Sequence, residues 1–94
     1  MRLCTLYTYY TDSTGNAWLA VPMQDVETLR LAPFISAFSH AYNGLVYLDK
    51  DCDAPLFLDA RRMHAPDCRF VDVFDGELSP IADYPAFDVC AQTA

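Results

Sequence analysis

The chain has 94 residues, 53% of them hydrophobic, and sets thirteen carboxylates against six Lys and Arg for a net charge of −7. That length holds one core and leaves no room for a second, and the apolar fraction excludes an intrinsically disordered protein. The charge argues against direct nucleic-acid binding, which needs Lys and Arg to displace counterions, and favours basic partners through electrostatic steering.

The first residues, Met1-Arg-Leu-Cys-Thr-Leu, lack the continuous apolar stretch of a signal peptide, and no apolar run reaches bilayer length. A cytoplasmic protein without membrane contact is expected. Leu3 to Thr11, rich in aromatic and β-branched residues, predicts a strand. Asp12-Ser-Thr-Gly-Asn16 is a turn in which Gly15 can take a positive φ, and Ala17 to Val21 returns as the second strand of a hairpin, with Trp18 directed to the core. After Pro22 the apolar period lengthens: Met23, Val26 and Leu29 predict a two-turn helix ending before Pro33.

Phe34 to Tyr42 alternates again and predicts a third strand. Asn43-Gly44 is the signature of a type I′ turn, and Leu45 to Asp49 is the partner strand. An acidic corner, Asp49-Lys-Asp-Cys-Asp53, leads into a helix from about Ala54 to His64. Asp53 is expected to cap it, Leu56, Ala60 and Met63 to form its buried stripe with Phe57 beside them, and Arg61, Arg62 and His64 to complement its C-terminal dipole. Arg69 to Asp75 alternates as a fifth strand at a sheet edge.

These readings give an α+β fold: an antiparallel sheet of about five strands in the order ββαββαβ, with two helices on one face. Residues 1–76 form the domain, and 77–94 an irregular acidic C-terminal extension packed on it or trailing from it. The expected core is Leu6, Trp18, Leu19, Val26, Leu29, Ile35, Phe38, Val46, Leu48, Phe57, Ala60 and Val71.

No catalytic constellation emerges. Asp49, Asp51 and Asp53 take the first, third and fifth places of a calcium loop, but Ala54 and Ala60 stand where its glycine and bidentate glutamate belong. Cys4, Cys52, Cys68 and Cys90 include no C-x-x-C pair, and His64-x-x-x-Cys68 is a poor zinc spacing. His40 and His64 lie on different elements, and no nucleophile elbow, H-E-x-x-H helix or phosphate-cradling glycine loop is present. The expectation is a non-enzymatic protein that needs no cofactor or metal.

Charge concentrates late in the chain, where Asp67, Asp72, Asp75, Glu77, Asp83 and Asp88 face Arg69 alone. Plain solubility accounts for such a surface. The alternative is a phosphate-like array of Asp49, Asp51, Asp72, Asp75 and Glu77 that occupies a basic site on a partner.

The blocks Gly15-Asn-Ala-Trp-Leu-Ala-Val-Pro22, Ile35-Ser-Ala-Phe-Ser39 and Val46-Tyr-Leu-Asp-Lys-Asp-Cys-Asp53 with Phe57 resemble an uncharacterised family of small proteins from proteobacterial phages, plasmids and integrated elements. The resemblance covers about residues 15–60 and brings no assigned chemistry. It implies a genomic setting in which small acidic proteins often inhibit host defence, as anti-CRISPR and anti-restriction proteins do. The resulting expectation is an inhibitor that binds a basic surface of a host protein or ribonucleoprotein defence complex in the bacterial cytoplasm. Its rival is a homodimeric module built on an exposed strand edge and the face of Tyr7, Tyr9 and Tyr10.

Overall fold

The computed structural model describes residues 3, 5–64, 68–75 and 80–88. Its elements run β1 (Leu6–Asp12), β2 (Ala17–Pro22), α1 (Met23–Thr28), β3 (His40–Tyr42), β4 (Leu45–Asp49), α2 (Asp53–His64) and β5 (Arg69–Asp75), with 3₁₀ turns at Ala32–Phe34 and Pro80–Asp83. This is the expected α+β order ββαββαβ, in one five-stranded sheet ordered β3-β4-β2-β1-β5.

Turn chemistry builds both hairpins. Asn43 and Gly44 have φ of 55° and 80°, as a type I′ turn requires. At the β1–β2 turn Gly15 has φ of 89°, and the buried Asp12 Oδ1 accepts from the Thr14 and Asn16 amides at 2.9 and 3.2 Å. Four strand neighbours were expected to be antiparallel throughout. Three pairs are, but β5 lies parallel to β1, from Leu6↔Arg69 to Asp12↔Asp75. The reason is α2: a helical crossover returns the chain to the end where β4 began, so β5 runs in the direction of β4 and of β1.

Strand β2 is central and buried along Ala17–Val21 because both faces of the sheet are covered. On one face Tyr7, Leu19, Val21, Val46 and Leu48 pack against Val26 of α1 and Ala54, Phe57 and Leu58 of α2. On the other, Trp18, Ala20 and Tyr47 meet Ile81, with Tyr10, Leu45 and Tyr84 around them. The late segment is therefore part of the core. Ile81 is only 3% exposed, and Ala41 N and Phe87 N donate to Pro85 O and Ser39 O, which closes the outer edge of β3.

Several expected positions move. The strand foreseen over Phe34–Tyr42 shrinks to His40–Tyr42, because Pro33 opens a 3₁₀ turn and Ser36 and Ser39 bond to Asp53 instead of a neighbouring strand. Phe38, placed in the core by alternation, is 70% exposed. Leu6 and Val71 are exposed beside β5, the sheet edge, rather than buried. Leu29 and Ala60 pack only partly against the core. Helix α2 is rotated from the expected stripe: Ala54, Phe57, Leu58 and Arg61 face inward at i, i+3, i+4 and i+7, while Leu56 and Met63 face outward. Arg61, expected to complement the C-terminal dipole of the helix, is 1% exposed and turned into the core.

Candidate interaction site

The acidic corner after β4 and the loop before β3 are joined into one unit. Asp53, expected to cap the helix from its place two residues before Pro55, is turned instead toward the loop before β3. Its buried Oδ2 accepts from Ser36 N at 3.1 Å, Ser36 Oγ at 2.7 Å and the Ser39 hydroxyl. Ser39 Oγ in turn accepts from Asp49 N at 2.9 Å, and Ser36 Oγ from Phe38 N at 3.2 Å. Asp49 Oδ1 takes the amides of Asp51 and Cys52 at 3.0 and 3.2 Å, so Asp49 shapes the turn that leads into α2. The charged acceptor at the centre makes these bonds stronger than neutral ones. What this loop exposes is apolar: Phe34 and Phe38 are 67% and 70% exposed, and across the serine bonds lie the half-buried Asp49 and the exposed Asp51.

The five acids proposed from sequence do not form one row. Asp49 and Asp51 share this corner. Asp72 is exposed on β5, three strands away, in register with Tyr9 and so on the helix-bearing face; Asp49 pairs with Trp18, whose side chain packs on the opposite face. Asp75 ends β5 in register with Asp12, and its side chain lies outside the description; Glu77 lies outside the described residues. Of the thirteen carboxylates, Asp12, Asp25 and Asp53 are buried on internal donors and present little charge to a partner.

A second polar group occupies the interior. The Tyr7 hydroxyl donates to Asp25 Oδ2 at 2.9 Å and accepts from Arg61 Nε at 3.1 Å, and the Tyr7 ring meets Phe57 edge-on at 5.5 Å. Burial, reinforced by Asp25, pushes the phenol well above its ordinary range, while Arg61 opposes the shift. With α1, α2 and β1 each supplying one member, this triad ties the helices to the sheet. Burial of a charge demands partners, which explains an arginine on the inward stripe of α2. Among the described residues every buried side-chain nitrogen or oxygen has a hydrogen-bond partner.

The chemistry of the remaining candidates is quiet. Cys52 is an exposed free thiol, raised above its usual value by desolvation and by the carboxylates of Asp49, Asp53 and Asp51. A raised thiol is a poor nucleophile at neutral pH. His40 Nδ1 lies 2.9 Å from Tyr84 O, and its ring meets Trp18 edge-on. A cleft of about 270 Å³ at the β3–β4 hairpin is lined by Met23, Tyr42 and Leu45, and one of about 690 Å³ by Thr5, Leu6, Cys68 and Arg69; among the described residues neither lining sets a histidine beside a cysteine. No group of three metal-ligating side chains occurs among the described residues, and no helix among them is long and apolar enough to cross a membrane.

Compared with protein-family models, curated proteins and solved structures, the chain gives no match in any of the three.

Proposed function

We propose that this chain is a non-enzymatic binding protein that docks a basic, partly apolar surface of another protein through the corner formed by residues 34–39 and 49–53. The observation that carries the reading is the hydrogen-bonded loop pair, in which Ser36 and Ser39 are tied to Asp53 and to the Asp49 amide while Phe38 between them, and Phe34 before them, stay exposed. A fixed aromatic flanked by carboxylates matches the anatomy of binding hot spots, where an apolar anchor supplies affinity and charge supplies rate and register. Preordering by Asp53 lowers the entropy cost of presenting those side chains.

The resemblance of residues 15–60 to proteins of mobile elements supports the narrower reading. The partner is then a nucleic-acid-binding defence complex of the bacterial host, in an anti-CRISPR-like role, and the carboxylates stand in its basic site in place of phosphates. Asp72 adds to the negative field from the far edge without joining the corner.

The test is capture of partners from bacterial lysate at two salt concentrations, followed by direct binding to the captured protein and competition with its nucleic acid. Replacing Asp49 and Asp51 together by Asn keeps an oxygen acceptor at position 49 while removing both charges. It should weaken binding and flatten its salt dependence; Phe38→Ala should weaken binding at either salt. Full affinity in both variants overturns the corner, and a partner that keeps its nucleic acid overturns the competition.

A further inference from the structure

Among the described residues β5 pairs with β1 alone, which leaves one of its edges open, and the apolar side chains near it are exposed on both faces. Phe70 and Phe74 lie on the helix-bearing face, where Phe70 rests on Tyr7 and Tyr9 with ring centroids 6.4 and 5.6 Å apart and Phe74 is 67% exposed. Val71, with Leu6 of β1, is exposed on the other face. An open edge with such side chains is a template for another strand. The opposite sheet edge, β3, is closed by Pro85–Phe87.

The sequence of β5 indicates which strand fits. Arg69-Phe-Val-Asp-Val-Phe-Asp75 is a near-palindrome centred on Asp72. We propose that β5 pairs antiparallel with β5 of a second copy, around a two-fold axis at Asp72, to make one continuous ten-stranded sheet. A two-fold contact is self-complementary, so residue i opposite j implies j opposite i. In this register Phe70 faces Phe74, Val71 faces Val73, and Arg69 stands opposite Asp75, each twice. A slip of the centre by one residue, to 71 or 73, sets Phe70 or Phe74 against Asp72, and Arg69 against Val73 or Val71 against Asp75. Half-residue centres are excluded because they pair residues from opposite faces. The rival dimer surface of Tyr7, Tyr9 and Tyr10 is not available: Tyr7 is buried, and alternation sends Tyr10 to the face opposite Tyr9.

The one unfavourable pair is Asp72 against its own copy, a like-charge contact between two aromatic pairs. It makes the assembly weak at neutral pH and gives it a specific signature. The pairing leaves the loop corner at residues 34–53 free in each copy, at the outer ends of the sheet, so it stands or falls apart from the docking reading.

Sedimentation velocity of the full chain, from low to high micromolar concentration, tests the proposal. Wild type should shift toward a dimer as concentration rises, and Asp72→Asn should dimerise about fivefold more tightly. Arg69→Asp and Asp75→Arg should each weaken the dimer, and the double reversal should restore it. Circular dichroism of each variant checks that the fold persists. Strict monomers for both wild type and Asp72→Asn overturn the pairing. Failure of the folded double reversal to restore association overturns the register.

Discussion

The Tyr7 hydroxyl stands between a buried acid and a buried base, and removing it tests how the interior is balanced. Tyr7→Phe keeps the ring on Phe57 but leaves Asp25 and Arg61 each short of one bond, at a cost of about 1–3 kcal/mol. Arg61→Ala is worse, about 3–5 kcal/mol, because it removes the base and leaves the acid's charge in a dry site. Urea unfolding of the two variants checks the order. The sign of the pH effect follows from the raised phenol. Tyr7 ordinarily titrates at 10.0, and the folded protein holds its proton more tightly than the unfolded chain does. Its contribution is fully present below pH 10 and is lost as the pH rises beyond that. Stability should therefore fall on the alkaline side in wild type, and less steeply in Tyr7→Phe. Cys52 gives a second reading at this scale. Its thiol, usually near 9.0 and raised here, should be alkylated at neutral pH more slowly than cysteine in a short peptide, despite its exposure. Peptide mapping after iodoacetamide treatment checks this, with faster labelling expected when Asp49 and Asp51 are both Asn.

At the scale of elements, α1 ends in a Schellman motif. Leu31 N donates to Val26 O and Arg30 N to Glu27 O, both at 3.0 Å, and Arg30 sits at φ of 58° where glycine is usual. Arg30→Gly relieves the left-handed strain and, net of glycine's larger unfolded-state entropy, should stabilise by about 0.5–1 kcal/mol, read as a higher melting temperature. This position shows where local reading stops: nothing in Leu29-Arg-Leu31 announces a left-handed residue, whereas Asn43-Gly44 states its turn in two letters. The two turns, the order of helices and strands and the sheet's strand count were legible because they rest on patterns close in sequence. Three features were not. The alternation over Phe34–Tyr42 promised a strand, but Asp53, 17 and 14 residues from Ser36 and Ser39, recruits both into a loop. The apolar letters of α2 pointed to Leu56 and Met63, but Arg61 is held inside by Tyr7, 54 residues away. The direction of β5 depends on the crossover of α2, which no pattern within β5 encodes. The candidate site was half legible: Asp49 and Asp51 stood out as acids, while the exposed Phe38 read as core.

For the molecule as a whole, the decisive feature is that the sheet is covered twice, by helices on one face and by residues 80–88 on the other. The second cover is thin. Ile81 seals Trp18, Ala20 and Tyr47, and Tyr84 stacks on Tyr42 at 4.4 Å and leans on Tyr47 at 5.3 Å. Without it β2 would face water along Trp18 and Ala20, which a strand buried along nearly its whole length does not tolerate cheaply. Residues 80–88 thus cover an apolar face of the sheet, and their acids, Asp83 and Asp88, remain exposed around an apolar anchor. Ile81→Ala should destabilise the whole domain by about 2–5 kcal/mol, the range for truncating a buried aliphatic side chain. Trp18, the sole tryptophan, is the reporter. Its emission in the folded variant should shift to longer wavelength as water reaches the opened face, and its unfolding curve should coincide with that followed by circular dichroism. A detachable extension would give a different result: unchanged midpoint, unchanged emission and no loss of cooperativity.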